Sequence, residues 1–232
     1  RPAFDIVAEA MSGIMHQVGF KDRPPSWTLY GMADIYTGMV TAFGVMQALF
    51  MRTQTGRGQL VDSAMLDNML SLNEAMVTLF STAGQSPSRG VPKNLFPRGA
   101  FQTKDGWIMV QIVGNPLYER WARLMGEEHW LTDARFATDQ LRGDNADIIS
   151  ERLARWGKDK TNQEVLDSLK EARIPCGEIL SPQQTLDNEH VVATGMFKPV
   201  DYPGLPKPAP IAETPVKLSK TPGEIRFRAP TL

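Results

Sequence analysis

Carboxylates are the side chains of this sequence best placed to do chemistry, and Asp34 stands out among them. It lies in Leu29-Tyr30-Gly31-Met32-Ala33-Asp34-Ile35-Tyr36-Thr37-Gly38, at the head of a segment that is apolar almost all round. An acid in that place can cap the helix by accepting from its free N–H groups. On local grounds capping is the first reading. The same N–H groups also steady an anion while apolar surroundings strip its water, so the carboxylate can also act as a nucleophile toward a carbonyl carbon. Other reactive residues offer less. His16, His129 and His190 stand alone, with no second ligand at helical or hairpin spacing, and no metal site is expected. Cys176 sits between Pro175 and Gly177 with no neighbouring histidine, and reads as a small buried apolar residue before it reads as a nucleophile. The sequence has no GxSxG elbow, phosphate loop or GxGxxG, and Gly56-Arg57-Gly58 follows a helix and reads as its stop.

The elements that must hold Asp34 come from periodicity. Residues 4 to 16 pattern as a helix with Ile6, Val7, Ala10, Met11 and Ile14 on one broad face and Gly13 near its end. Lys21 to Trp27 carries two prolines and forms a stiff loop. From Asp34 to about Arg52 the pattern predicts a helix buried on every side, with Gly38 and Gly44 suited to close approach by another backbone. Leu60 to Ala64 then reads as a short strand and Met65 to Phe80 as a second helix, an order that suits an α/β layer. Residues 81–100 are dense in Ser, Gly and Pro and read as a domain boundary or a mobile active-site segment.

Ala100 to Ile112 predicts two strands around a Lys104-Asp105-Gly106 turn. Helices are predicted at 115–126, 142–157 and 161–173. The second has a solvated charged face of Glu151, Arg152, Arg155, Lys158 and Asp159. Ile174 to Leu180 reads as a turn into a short strand. The tail, with seven prolines between Pro199 and Pro222, should run extended along a surface.

Composition sets the outer bounds. The 232 residues are 42% hydrophobic and carry 25 basic against 26 acidic side chains, for a net charge of −1. That is enough apolar content for a core and no basic field for nucleic acid. No run is long and apolar enough to suggest a membrane span. One cysteine and no leader-like start favour a cytoplasmic setting. The chain opens on Arg1 and runs directly into a helix, which reads as entry partway through a longer polypeptide.

The run AFDIVAEAMSG, a Pro-Pro loop, ADIYTG, a long apolar helix ending in Arg, and TGRGQLVDSAMLD resembles the class III coenzyme A transferases. That family also takes in formyl-CoA and carnitine-CoA transferases and the related α-methylacyl-CoA racemase. The DGW hairpin, the IPCGEILS turn and the closing RAPTL are similar to the family's second half, so the resemblance covers essentially the whole chain.

The resemblance implies an α/β protein with a Rossmann-like large domain, incomplete here, a smaller α/β domain, and two chains interlocked as a homodimer. On that pattern 1–80 belongs to the large domain, 81–100 is a linker or active-site loop, 101–195 is the small domain, and 196–232 returns toward the large domain. The part matching the family's N-terminal region, with many coenzyme A contacts, is expected to lie before Arg1, so the chain alone should expose a large apolar surface.

The implied reaction moves coenzyme A between an acyl-CoA and a free carboxylic acid, with no permanently bound cofactor. Asp34 matches the nucleophile. Phe4 and Asp5 match an aromatic-acid pair beside coenzyme A, and Arg98 and Gly99 belong to the segment expected to help close the site. The racemase branch is the alternative reading, but it needs a histidine where this chain has Phe4, which cannot move a proton. A non-catalytic homologue or fragment is the other. Nothing in the sequence names the acyl donor or the acceptor acid.

Overall fold

The computed structural model describes residues 3–84, 89 and 98–230. Four helices come first: α1 (Asp5–Met11), α2 (Met32–Thr55), α3 (Met65–Leu72) and α4 (Glu74–Ala83). The first three share a small apolar cluster of Ala8, Ala33 and Met69, with Ile14, Met32, Tyr36 and Met65 packed against it.

The expected helix over 4–16 is shorter than its pattern. It stops at Met11, Gly13 takes a left-handed conformation, and a 3-10 turn covers Ile14–His16. Its orientation also reverses the expected one. The residues α1 buries are Asp5, Ala8 and Glu9, with Ser12 just beyond its end, while Ile6, Val7 and Met11 are exposed. The buried face is polar because it grips backbone N–H groups of the neighbouring segment, a demand that apolar side chains cannot meet.

α2 departs from expectation in the same way. It starts at Met32 and ends at Thr55, where Gly56 in the left-handed region closes it by donating to the Arg52 carbonyl. Ala33 is its one fully buried residue among those described. Ile35, Met39, Phe43, Met46 and Phe50, spaced as one stripe of a 3.6-residue helix, are each 58% to 66% exposed. The reading of α2 as buried on every side is therefore corrected for this chain. The pattern is that of a buried helix, and the surface to cover it is not supplied by the described residues. Val61 closes on Gly44, and Gly38 faces open space.

The strand expected over Leu60 to Ala64 has no ladder among the described residues, so it is connecting chain. The helix expected over 65–80 breaks at Asn73 into α3 and α4. Asn73 donates to the Ser12 carbonyl at 2.8 Å and accepts from Gln17, which fixes the end of α1 against the break.

The second group of elements builds the main core. β1 (Arg98–Gln102) and β2 (Trp107–Gln111) form the expected hairpin around Lys104-Asp105-Gly106, and β3 (Cys176–Glu178) adds antiparallel to β2. Strand β2 alternates, with Ile108 and Val110 buried and Trp107 and Met109 outward. Helices α5 (Asn115–Met125), α7 (Ala146–Gly157) and α8 (Asn162–Glu171) build the core on its inner face, and the short α6 (Asp139–Asp144) leads into α7. The single helix expected over 142–157 is instead two, broken at Asn145.

Tyr118, Trp121, Trp130 and Phe136 pack ring against ring at the centre, Tyr118 stacked on Trp121 and the other pairs tilted. The hairpin is locked to α8 by Asn162, whose side chain bonds Thr103 and Glu178 and whose backbone N–H donates to Asp105. A side chain at Gly106 would press on the Asn162 amide and displace it from these bonds, which favours glycine there.

Helices α9 (Pro182–Asp187) and α10 (Glu189–Thr194) follow. In the proline-rich tail, β4 (Phe197–Val200) and β5 (Ala209–Ala212) pair with each other, where an unpaired extended run was expected. Mixed α/β architecture is thus found, and both sheets of the described residues are antiparallel. No helix among the described residues is long and apolar enough to cross a membrane.

Candidate active site

Asp34 is the third residue of α2 and is exposed. Whether it caps α2 is answered by its neighbours. The residue before the helix is Gly31, in the left-handed region at φ 80, and it has no side chain to cap with. The free N–H groups of Gly31 and Ala33 donate instead to the two carboxylate oxygens of Asp5, at 2.8 and 2.6 Å. Asp5 is 8% exposed, and it arrives from α1 to do what a residue at the helix start ordinarily does. Asp34 is left without that duty, on the first turn of a long helix whose N-terminus favours negative charge.

One turn along α1 from Asp5, Glu9 is fully buried. Its two oxygens accept from the Thr28 N–H and the Thr28 hydroxyl, both at 2.9 Å. Asp5 and Glu9 therefore hold the segment that delivers Asp34 at two places, Thr28 and the Gly31 to Ala33 turn. On an open helix surface, like charges four residues apart repel. That spacing was the available sequence signal that each acid has its own partners, and a search for apolar periodicity passes over it. Glu9 and Thr28 were missed for this reason.

The remaining sequence candidates are spread out. Phe4, next to Asp5, is 83% exposed and extended, and its carbonyl accepts from Val7 and Ala8 at the start of α1. Arg98 and Gly99 fall in strand β1, where a loop was expected, with Gly99 paired to Val110. Gly99 lines a cavity of about 300 Å³ with Phe101, Trp107, Leu153 and Ala154. The side chain of Arg98, and most of the 81–100 segment, lie outside the described residues. Cys176 is half-buried against the main core, and burial pushes its thiol up from the ordinary value, which disfavours a thiolate. Among the described residues no three His, Cys, Asp or Glu side chains group as metal ligands.

The sequence model of CoA-transferase family III matches residues 1–232. A succinyl-CoA:mesaconate CoA-transferase of Haloarcula hispanica is 31% identical over 234 residues, covering 100% of this chain and 58% of its own length. A formyl-CoA:oxalate CoA-transferase of Rhodopseudomonas palustris is 29% identical over 253 residues, covering 99% and 59%. Among solved structures, a CAIB/BAIF family protein from Brucella suis superposes with a TM-score of 0.81 at 27% identity, covering 100% of this chain and 60% of that one. The chain thus spans 58% to 60% of the length of these relatives.

Proposed function

Since the chain belongs to CoA-transferase family III, we propose that the protein moves coenzyme A from an acyl-CoA thioester to a free carboxylic acid, with Asp34 as the nucleophile. The observation that carries this reading is the freedom of Asp34: Asp5 satisfies the start of α2, so the exposed carboxylate on its first turn has no capping role.

In the proposed reaction the Asp34 carboxylate attacks the thioester carbonyl, the C–S bond breaks, and an aspartyl anhydride forms with release of the thiolate. The thiolate attacks the aspartyl carbonyl, giving an aspartyl-CoA thioester and releasing the donor carboxylate. The acceptor carboxylate attacks the aspartyl-CoA carbonyl, reversing the second exchange: the C–S bond breaks, a new anhydride forms and the thiolate is freed. The thiolate then attacks the acceptor's acyl carbon, reversing the first, and Asp34 leaves as the restored carboxylate. Each step exchanges one acyl link for another and needs no water, so water must be excluded from the anhydride. The N-terminal end of α2 favours the carboxylate each time it is regenerated.

Phe4 and Asp5 are proposed to lie beside coenzyme A. Phe4 offers an exposed ring for contact, and Asp5 shapes the site through the α2 start that it holds. Arg98 and Gly99 are proposed to border the acyl site from strand β1. The exposed stripe of Ile35, Met39, Phe43, Met46 and Phe50 supports a Rossmann-like large domain completed by further chain and an interlocked homodimer, since either would cover it. The division between 1–80 and 101–195 is supported by the separate clusters around Ala33 and around Trp121, and 196–232 is proposed to return toward the large domain.

The test uses the full-length protein with succinyl-CoA, the donor in the name of the Haloarcula relative, and hydroxylamine. Mass spectrometry should find a hydroxamate at Asp34, and Asp34→Ala should abolish both adduct and transfer while keeping the fold. Absence of the adduct together with exchange of the substrate's α-proton in deuterated water would replace transfer with racemisation. Neither signal, across a panel of CoA donors, would make the protein non-catalytic.

A further inference from the structure

We infer that Glu9 is a positioning residue for Asp34 and acts through Thr28. The inference rests on the reading of Asp34 as nucleophile and adds a residue to it. The segment before α2 is poorly packed: Trp27, Leu29 and Tyr30 are 56%, 62% and 88% exposed, and Thr28 between them is exposed as well. Apolar contacts therefore do not order this segment among the described residues. Glu9 does so by taking both the peptide N–H and the hydroxyl of Thr28, which fixes backbone and side chain together. Beyond Thr28 the chain makes one turn, with Met32 donating to Leu29 at 3.1 Å, and enters α2 at Gly31.

The two acids of α1 divide the work. Asp5 holds the N–H groups of the helix start itself, so its loss frays α2. Glu9 holds the chain three residues upstream, so its loss leaves α2 capped and lets the turn pivot about the Asp5 anchor. The nucleophile then keeps its chemistry and loses its direction. No cation pairs with Glu9 among the described residues, so its buried carboxylate is not one half of an ion pair, and Thr28 supplies both of its bonds. Misplacement of a reacting group by about 1 Å lowers rates by up to about 100-fold.

The experiment compares wild type, Glu9→Ala, Glu9→Gln and Thr28→Val in the full-length protein. Three readouts are taken: the rate of hydroxamate formation at Asp34 with succinyl-CoA and hydroxylamine, the kcat and KM for transfer, and the melting temperature. Glu9→Ala should slow labelling and kcat by about 10- to 100-fold with KM within about twofold. Glu9→Gln can still accept the Thr28 N–H and donate to its hydroxyl, and should recover most of the rate. Thr28→Val keeps the N–H bond and should lose only a few-fold.

Wild-type labelling and kcat in Glu9→Ala would overturn the inference. So would rates in Glu9→Ala and Glu9→Gln that fall together in proportion to melting temperature, because a merely structural tie behaves that way. Should Glu9→Ala not fold, Thr28→Val and Glu9→Gln decide by the same rates. A wild-type protein that never labels at Asp34 refutes the nucleophile itself, a result distinct from wild-type labelling that the Glu9 variants leave unchanged.

Discussion

Replacing Asp5 tests the link between the first helix and the candidate nucleophile most directly. In Asp5→Ala two N–H groups at the start of α2 lose their acceptor. Their fates differ. Gly31 is half-buried and its N–H can turn to water, whereas Ala33 is fully buried and its N–H stays unpaired. A hydrogen bond to a charged group contributes about 1.5–3 kcal/mol net, and an orphaned buried donor costs about 1–3 kcal/mol. With the Gly31 bond largely recovered by solvent, the loss at Ala33 dominates and the expected destabilisation is about 2–3 kcal/mol.

Asp5→Asn keeps one acceptor oxygen and points an amide donor at the second N–H, so it should lose about half as much. Amide hydrogen exchange reads this locally. Opening easier by about 2–3 kcal/mol speeds exchange at Ala33 about 30- to 150-fold, with Gly31 changing less and the amides of α7 and α8 unchanged. If Ala33 exchanges at the wild-type rate in Asp5→Ala, the Asp5 carboxylate does not cap α2 and Asp34 is not released from that role.

Two further expectations concern the main core. Burial pushes the Tyr118 phenol from 10.0 up to about 12, against a smaller opposing effect of the nearby Arg142 charge. The unfolded chain therefore releases this proton first, and the contribution of Tyr118 is whole below about pH 10 and is lost as pH rises toward 12. Denaturant melts across that window should show wild type losing about 2 kcal/mol that Tyr118→Phe does not lose, and parallel curves would refute it. At neutral pH the phenylalanine variant should match or exceed wild type by up to about 1 kcal/mol, because the buried hydroxyl has no partner among the described residues. Arg142, 3% exposed, lies 4.0 Å from the Tyr118 ring centre and bonds the Phe136 carbonyl, Asp139 and Asn115. Arg142→Ala should cost about 3–5 kcal/mol in thermal melts, and Arg142→Lys should recover little because an ammonium cannot reach three separate acceptors from one plane.

Local chemistry alone determined a good part of this protein. The Lys104-Asp105-Gly106 hairpin, the Gly56 helix stop and the strand after Pro175 were legible because turn residues act on their immediate neighbours, whatever lies beyond them. The motif around Asp34 was legible too, and with it the family. Tertiary structure decided what the periodicity could not. Apolar spacing marks which face of α2 is meant to be covered and is silent on where the cover comes from, so Phe43 and Phe50 are open in this chain.

On α1 the same rule chose the wrong face. Its buried side is the one whose carboxylates meet N–H groups 19 to 28 residues away along the chain. No local pattern records such a partner. Read from its sequence neighbours, Asp34 was first of all a helix cap, and that role passed to Asp5 only when folding brought Asp5 to the start of α2. Distant hydrogen bonds are set by the path of the backbone in space, and that path is what the sequence, read locally, does not contain.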